Sequence, residues 1–143
     1  MGEFLPGAHL RIKVGFGALV LAQIAHSIEE YIGRLWESFP PARFLTAMVS
    51  SDREVGFIVI NGALVAFGLW CLAFPVRREW PSSARFVWLW VVLETINGVG
   101  HPLWTLRQGE YTPGVLTAPL LLVISLYLAT RLRAGEPRSS PAK

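Results

Sequence analysis

The stretch Val14-Gly15-Phe16-Gly17-Ala18-Leu19-Val20-Leu21-Ala22-Gln23-Ile24-Ala25-His26-Ser27-Ile28-Glu29-Glu30 decides how this chain is read. An almost wholly apolar run ends in an imidazole and two carboxylates. An ionisable side chain at the centre of a bilayer costs roughly 2.5–3.5 kcal/mol on insertion scales. Something must offset that cost: a partner helix, a bound ion or a water-filled site.

Composition points the same way. The 143 residues are 52% hydrophobic and 16% charged, against about 25% charged in an ordinary soluble domain. The charges cluster between long apolar runs, which predicts an all-α polytopic membrane protein of one small domain. The single Cys71 excludes an intramolecular disulfide and a multi-cysteine metal site. The net charge of +3 reads as cytoplasmic loop charge rather than a nucleic-acid footprint. No Ala-x-Ala pattern follows the first apolar run, so that run reads as a retained span.

Working outward, hydropathy predicts four transmembrane helices at about 11–31, 55–76, 84–104 and 113–132. They form an up-down bundle over 1–132, with a non-helical lead-in before it and a disordered tail at 133–143. The first span, at 1.5 Å per residue, covers about 31 Å of a ~30 Å core. Residues 33–54 carry Trp36, Phe39 and Pro40-Pro41 and read either as an interfacial segment or as a connecting loop. Ser51 with Glu54 three residues on has the pattern of a capping box. Pro102, beside Gly98 and Gly100, predicts a kink or local unwinding in the third span. Thr112 reads as the N-cap of the fourth span, with Pro113 at its first position and Pro119 as a kink. Nine of the 13 Lys and Arg lie on the side of the N-terminus, the second loop and the tail. That places both termini in the cytoplasm and the protein in the inner (cell) membrane.

The polar residues within these spans share a level. Counted along the odd helices from the cytoplasmic end, His26, Glu30, Asn97 and His101 lie at roughly 20–28 Å, with Glu94 near 15 Å. Counted down the even helices, Asn61 and Thr117 reach about 21 and 24 Å of the same ~30 Å core. His26 and Glu30 are i,i+4 neighbours, and Glu94, Asn97 and His101 form one stripe. Glu29 and Glu30 are about 100° apart on the helix, and Glu30 is the one read as facing inward.

The expected centre is therefore His26, Glu29, Glu30, Glu94, Asn97 and His101. Asn61, Trp88, Trp104, Tyr111 and Thr117 are expected around a substrate pocket. Four of them have a plainer reading. Glu30 pairs with Arg34, Asn61 makes a bundle hydrogen bond, His101 ends a helix, and Thr117 bonds its own backbone, which is the preferred reading for that residue.

The chain resembles the HXXEE-domain proteins, small bacterial membrane proteins, through His26-Ser27-Ile28-Glu29-Glu30. Asn97 to His101, Tyr111-Thr112-Pro113-Gly114 and Thr117-Ala118 carry the same resemblance, which covers about Gly15 to Leu128. It implies a membrane enzyme without specifying its reaction.

Two chemistries suit these residues. His26, Glu30, Glu94 and His101 can hold one divalent metal ion, Fe, Mn or Zn. A buried Glu beside a His can instead carry out acid–base chemistry on an apolar lipid or isoprenoid substrate drawn from the membrane, with aromatic faces stabilising a cation. A non-enzymatic metal, proton or solute carrier is the third reading. The apolar inner halves of the second and third spans favour a one-sided pocket over a path through the membrane.

Overall fold

The computed structural model describes residues 6–135, and every regular element in that range is helical. In chain order these are α1 (Pro6–Ile32), α2 (Leu35–Ser38), α3 (Pro40–Val49), α4 (Arg53–Cys71), α5 (Ser83–Gln108) and α6 (Ala118–Gly135). Two stretches are long and apolar enough to cross a membrane, His9–Ile32 and Arg53–Val76.

Several boundaries differ from the sequence expectation. The lead-in is helical from Pro6, a residue pre-set for a helix start, and α6 runs three residues into the expected tail. The rest of the lead-in and tail, 1–5 and 136–143, lies outside the described residues. Asp52, not Ser51, caps α4, because the helix starts at Arg53 and Asp52 holds the position before it. Its Oδ1 accepts from the N–H of Glu54 at 2.9 Å and of Val55 at 3.3 Å. Residues 33–54 hold the two short helices α2 and α3, with Pro40 at the start of α3 where its missing N–H costs nothing.

The local unwinding expected at Pro102 does not occur: the backbone of α5 stays helical through it. Proline removes a single bond there, and close packing on α6 holds the turns on either side. At Gly98 a Cβ would lie 2.7 Å from that of Leu122, so only glycine permits this approach. Pro75 does change the backbone. A π-helical turn, Leu72–Val76, follows α4, and the Arg77 N–H reaches back five residues to the Leu72 carbonyl at 3.0 Å.

The fourth long helix begins at Ala118 rather than Pro113. Residues 113–117 form consecutive turns, because the N–H groups of Gly114, Leu116 and Thr117 are engaged by a carboxylate of α1 described below. Pro119 is the second residue of α6, where it needs no kink.

The bundle core contains Phe16, Leu19, Val20, Val87, Trp90, Val91, Leu121 and Leu128. A smaller cluster of Leu35, Trp36 and Phe57, with Phe39 and Trp104 against it, covers the other end. Polar groups line the inside of α5, where Glu94 and His101 are buried, while Leu89, Val92, Ile96, Val99, Leu103 and Leu106 form an exposed apolar stripe outside.

Candidate metal centre

His26 and Glu30 are one turn apart on α1, and α5 brings His101 to the same point. His26 is 0% exposed, His101 6% and Glu30 7%. His26 Nε2 is 3.3 Å and His101 Nε2 3.1 Å from the same Glu30 oxygen, Oε1. The rings meet edge to face, centroids 4.7 Å apart. One donor atom from each of the three residues falls within 4.8 Å of the others.

The other ring nitrogens fix the tautomers. His101 Nδ1 lies 2.8 Å from the Pro113 carbonyl, which can only accept, so Nδ1 carries a hydrogen. Thr117 Oγ1 donates its one hydrogen to Glu29 Oε2 at 2.6 Å and so accepts from His26 Nδ1 at 2.7 Å. Each neutral ring then presents a bare Nε2. Two lone pairs and a carboxylate oxygen converge, and His26 Nε2 has no hydrogen-bond partner. Such a set repels itself unless a cation lies between its members.

Both a metal ion and imidazolium protons supply that charge. Metal–ligand bonds of about 2.0–2.2 Å place neighbouring ligand atoms roughly 2.8–3.6 Å apart at right-angled to tetrahedral geometry. The observed 3.1 and 3.3 Å spacings fall in that interval. Two histidines, one carboxylate and remaining open positions are a donor set for Fe(II), Mn or Zn. Histidines whose second nitrogen is tied to a carbonyl or a carboxylate-held hydroxyl are the usual support for such ligands.

Glu29 has a different task from Glu30. Its Oε1 accepts from Tyr111 Oη at 3.0 Å and from the N–H groups of Gly114 at 3.1 Å and Leu116 at 3.0 Å. Its Oε2 accepts from the Thr117 N–H at 2.9 Å as well as from Oγ1. One carboxylate thus wraps residues 111–117 around itself and satisfies N–H groups ahead of α6. Partial burial and the facing Glu29 carboxylate push the Tyr111 hydroxyl above its ordinary range. Gly114 (φ +94°) presses its backbone on both rings, and a Cβ there would lie 2.6 Å from His101 Nδ1 and 2.9 Å from His26 Cε1.

A family model described as "protein of unknown function with HXXEE motif" matches residues 18–128. The chain belongs to this family. No curated protein and no solved structure matches it. In this HXXEE chain the motif's first residue and its last glutamate are candidate ligands, while the glutamate between them organises the loop that orients the histidines.

The remaining expected residues divide. Glu94 is not in the triad cluster: it lies almost two turns before His101 on α5, about 10 Å along the axis, and its carboxyl faces Gln23. Asn97 donates to Glu94 Oε2 at 3.1 Å, away from the histidines. Asn61 reaches the layer through Ser27, whose hydroxyl donates to its Oδ1 at 2.9 Å. Thr117 bonds Glu29 and His26, which corrects the preferred reading that it serves its own backbone. Trp104 packs on Phe39 at 4.5 Å, and Phe39 in turn lies 6.2 Å from His101. Trp88 is far from the site. It is thirteen residues before His101, about 20 Å along the helix, and lies against the Arg133 guanidinium.

Gln23, Ser27, Phe39 and Gly114 were outside the expected site. Gln23 was visible one turn below His26 on the same stripe, and Gly114 within the Tyr-x-Pro-Gly segment. Nothing local marks Phe39 or the Pro113 carbonyl.

Proposed function

We propose that this HXXEE protein is a four-span enzyme of the inner membrane, with both termini cytoplasmic. His26, Glu30 and His101 hold one divalent metal ion that acts on an apolar substrate. The observation that carries the metal reading is the tautomer argument: both Nδ1 atoms are committed as donors, so each ring, when neutral, turns its Nε2 lone pair to the Glu30 carboxylate.

The membrane reading is supported by the inside-out pattern of α5, whose polar residues are inside and whose apolar stripe faces out. α6 repeats it with exposed Leu120, Val123 and Leu126. Orientation follows from the nine-to-four Lys and Arg bias, which puts the triad toward the outer face. A lateral groove of about 310 Å³, lined by Ile24, Ile28, Phe57, Ile58 and Val65 with Ser27 and Asn61, opens beside the triad's helix. It suits a lipid-soluble molecule reaching the site from the bilayer. The apolar core formed by Phe16, Leu19, Val87, Trp90 and Leu128 argues against a carrier path through the bundle.

When bound, the metal would act as a Lewis acid or activate a water in its open positions. The chain contributes the ligands, the oriented imidazoles and the Phe39 ring beside His101, itself backed by Trp104. The test is elemental analysis of gently purified protein after growth in Fe-, Mn- and Zn-supplemented medium. One equivalent of one metal, lost in folded His26→Ala and His101→Ala variants, is expected. Absence of a stoichiometric metal from the folded wild type would overturn the metal reading.

A further inference from the structure

Below the triad lies a second polar cluster. Glu94 is 0% exposed. One terminus of the Gln23 amide lies 2.9 Å from its Oε2 and 3.1 Å from its Oε1. The other terminus is 3.1 Å from Ser27 Oγ. Ser27 Oγ is 2.9 Å from Asn61 Oδ1, and Asn61 Nδ2 is 3.3 Å from the Phe57 carbonyl. Four side chains on three helices thus form one chain of contacts from α5 through α1 to α4.

Only the hydrogens remain to be assigned, and the Ser27 hydroxyl has one. If Glu94 is ionised, Gln23 must turn its NH₂ toward the carboxylate and its oxygen toward Ser27. Ser27 then donates to Gln23 and has nothing left for Asn61. Either Asn61 Oδ1 faces a bare oxygen at 2.9 Å, or Asn61 turns over and its oxygen faces the Phe57 carbonyl at 3.3 Å. If Glu94 is neutral, each link along the chain has one donor and one acceptor. Glu94 donates to the Gln23 oxygen from Oε1, 3.1 Å away, while Oε2 accepts from Asn97; Gln23 donates to Ser27, Ser27 to Asn61, and Asn61 to the Phe57 carbonyl.

The surroundings favour the neutral acid. A buried carboxylate needs a paired cation. On α1 the titratable residues above it are His26 and Glu30, and on α5 the next is His101. α4 has no titratable residue between Glu54 and Cys71, and α6 contributes only Tyr127, Arg131 and Arg133, at its far end. The Arg131 guanidinium lies over the Tyr127 ring and that of Arg133 over Trp88.

We propose that Glu94 is a proton-binding site, and that Gln23 and Ser27 transmit its occupancy to Asn61 on the wall of the lateral groove. Release of the proton draws the Ser27 hydrogen away from Asn61 Oδ1, so a polar group bound in the groove meets an Asn61 amide that is satisfied in one state and, in the other, lacks its Ser27 donor or is turned over. The inference holds whether or not the triad carries a metal.

Infrared spectroscopy of the protein in lipid nanodiscs at neutral pH tests it. A protonated carboxyl C=O band is expected, shifted in ²H₂O, absent in Glu94→Gln and displaced in Ser27→Ala. If Glu94→Gln fails to fold, ¹³C-glutamate labelling of the wild type identifies a glutamic acid band, and its displacement in Ser27→Ala assigns it to Glu94. A wild-type spectrum with no glutamic acid band at neutral pH would overturn the proposal. Metal content tests the triad separately.

Discussion

Thr117 Oγ1 sits 2.7 Å from His26 Nδ1, ninety-one residues away in sequence, and it is the atom that decides which nitrogen of His26 faces Glu30. With its own hydrogen committed to Glu29, it can only accept from the ring. Thr117→Val keeps the shape and removes the acceptor. Loss of a supporting hydrogen bond of this kind costs roughly 10–100-fold in metal affinity. A chelator competition assay is expected to show that loss for Thr117→Val and near wild-type affinity for Thr117→Ser. Equal affinities for Thr117→Val and wild type would mean that the hydroxyl does not orient the ligand.

Neighbouring glutamates are expected to fail in different ways. Glu30→Gln removes the one anion between two lone pairs, so metal content should fall sharply while the bundle stays folded. Glu29→Gln places an amide NH₂ among groups that are all donors. A donor left unsatisfied costs about 1–3 kcal/mol, so this variant should unfold at lower temperature and lose the order of residues 111–117. Thermal melts and proteolysis of that segment, beside metal analysis, separate the two effects.

Much of this was legible because helix formation is local. The apolar runs mark α1 and α4, and the i,i+4 spacing of His26 and Glu30 puts them on one face before any fold is known. Depth counting brought His101 to their level. The start of α6 was not legible: Thr112-Pro113 has the form of a helix start, but Glu29, far back in the chain, takes the N–H groups of Gly114, Leu116 and Thr117. Glu94 and Trp88 misled for another reason. Residue depth along a helix says nothing about which neighbour a side chain turns to, and Glu94 turned to Gln23.

At the other end of the bundle, Lys13 Nζ lies 2.5 Å from Glu79 Oε1 and holds that carboxyl below its ordinary 4.5. A carboxylate with a lowered folded-state pKa adds stability above the unfolded value. That stability disappears as pH falls from the ordinary value through the lowered one. The pair is exposed, so the effect is small and weakens with salt. Melting temperatures measured from neutral pH to below 4.5 should drop less steeply in Glu79→Gln than in wild type, with the gap closing in high salt. Parallel curves at low salt would show that the pair contributes nothing.

Gly114→Ala tests whether the turn and the triad are one device. The residue has φ +94°, a conformation that costs a residue with a Cβ about 1–3 kcal/mol. The added carbon would also enter the space of both imidazoles, 2.6 Å from His101 Nδ1. Relief requires the turn to lift, which breaks the Gly114 N–H contact to Glu29 at 3.1 Å and the Pro113 carbonyl contact to His101 at 2.8 Å. The expected result is a lower melting temperature together with weaker metal binding, because His101 loses the acceptor that fixes its tautomer. Gly109→Ala is the control. It too has positive φ, at +73°, but nothing surrounds its Cβ position, so it should lower stability through backbone strain alone and leave metal affinity unchanged. If both substitutions lower metal affinity equally, the effect is general loosening of the bundle and the turn is not part of the centre.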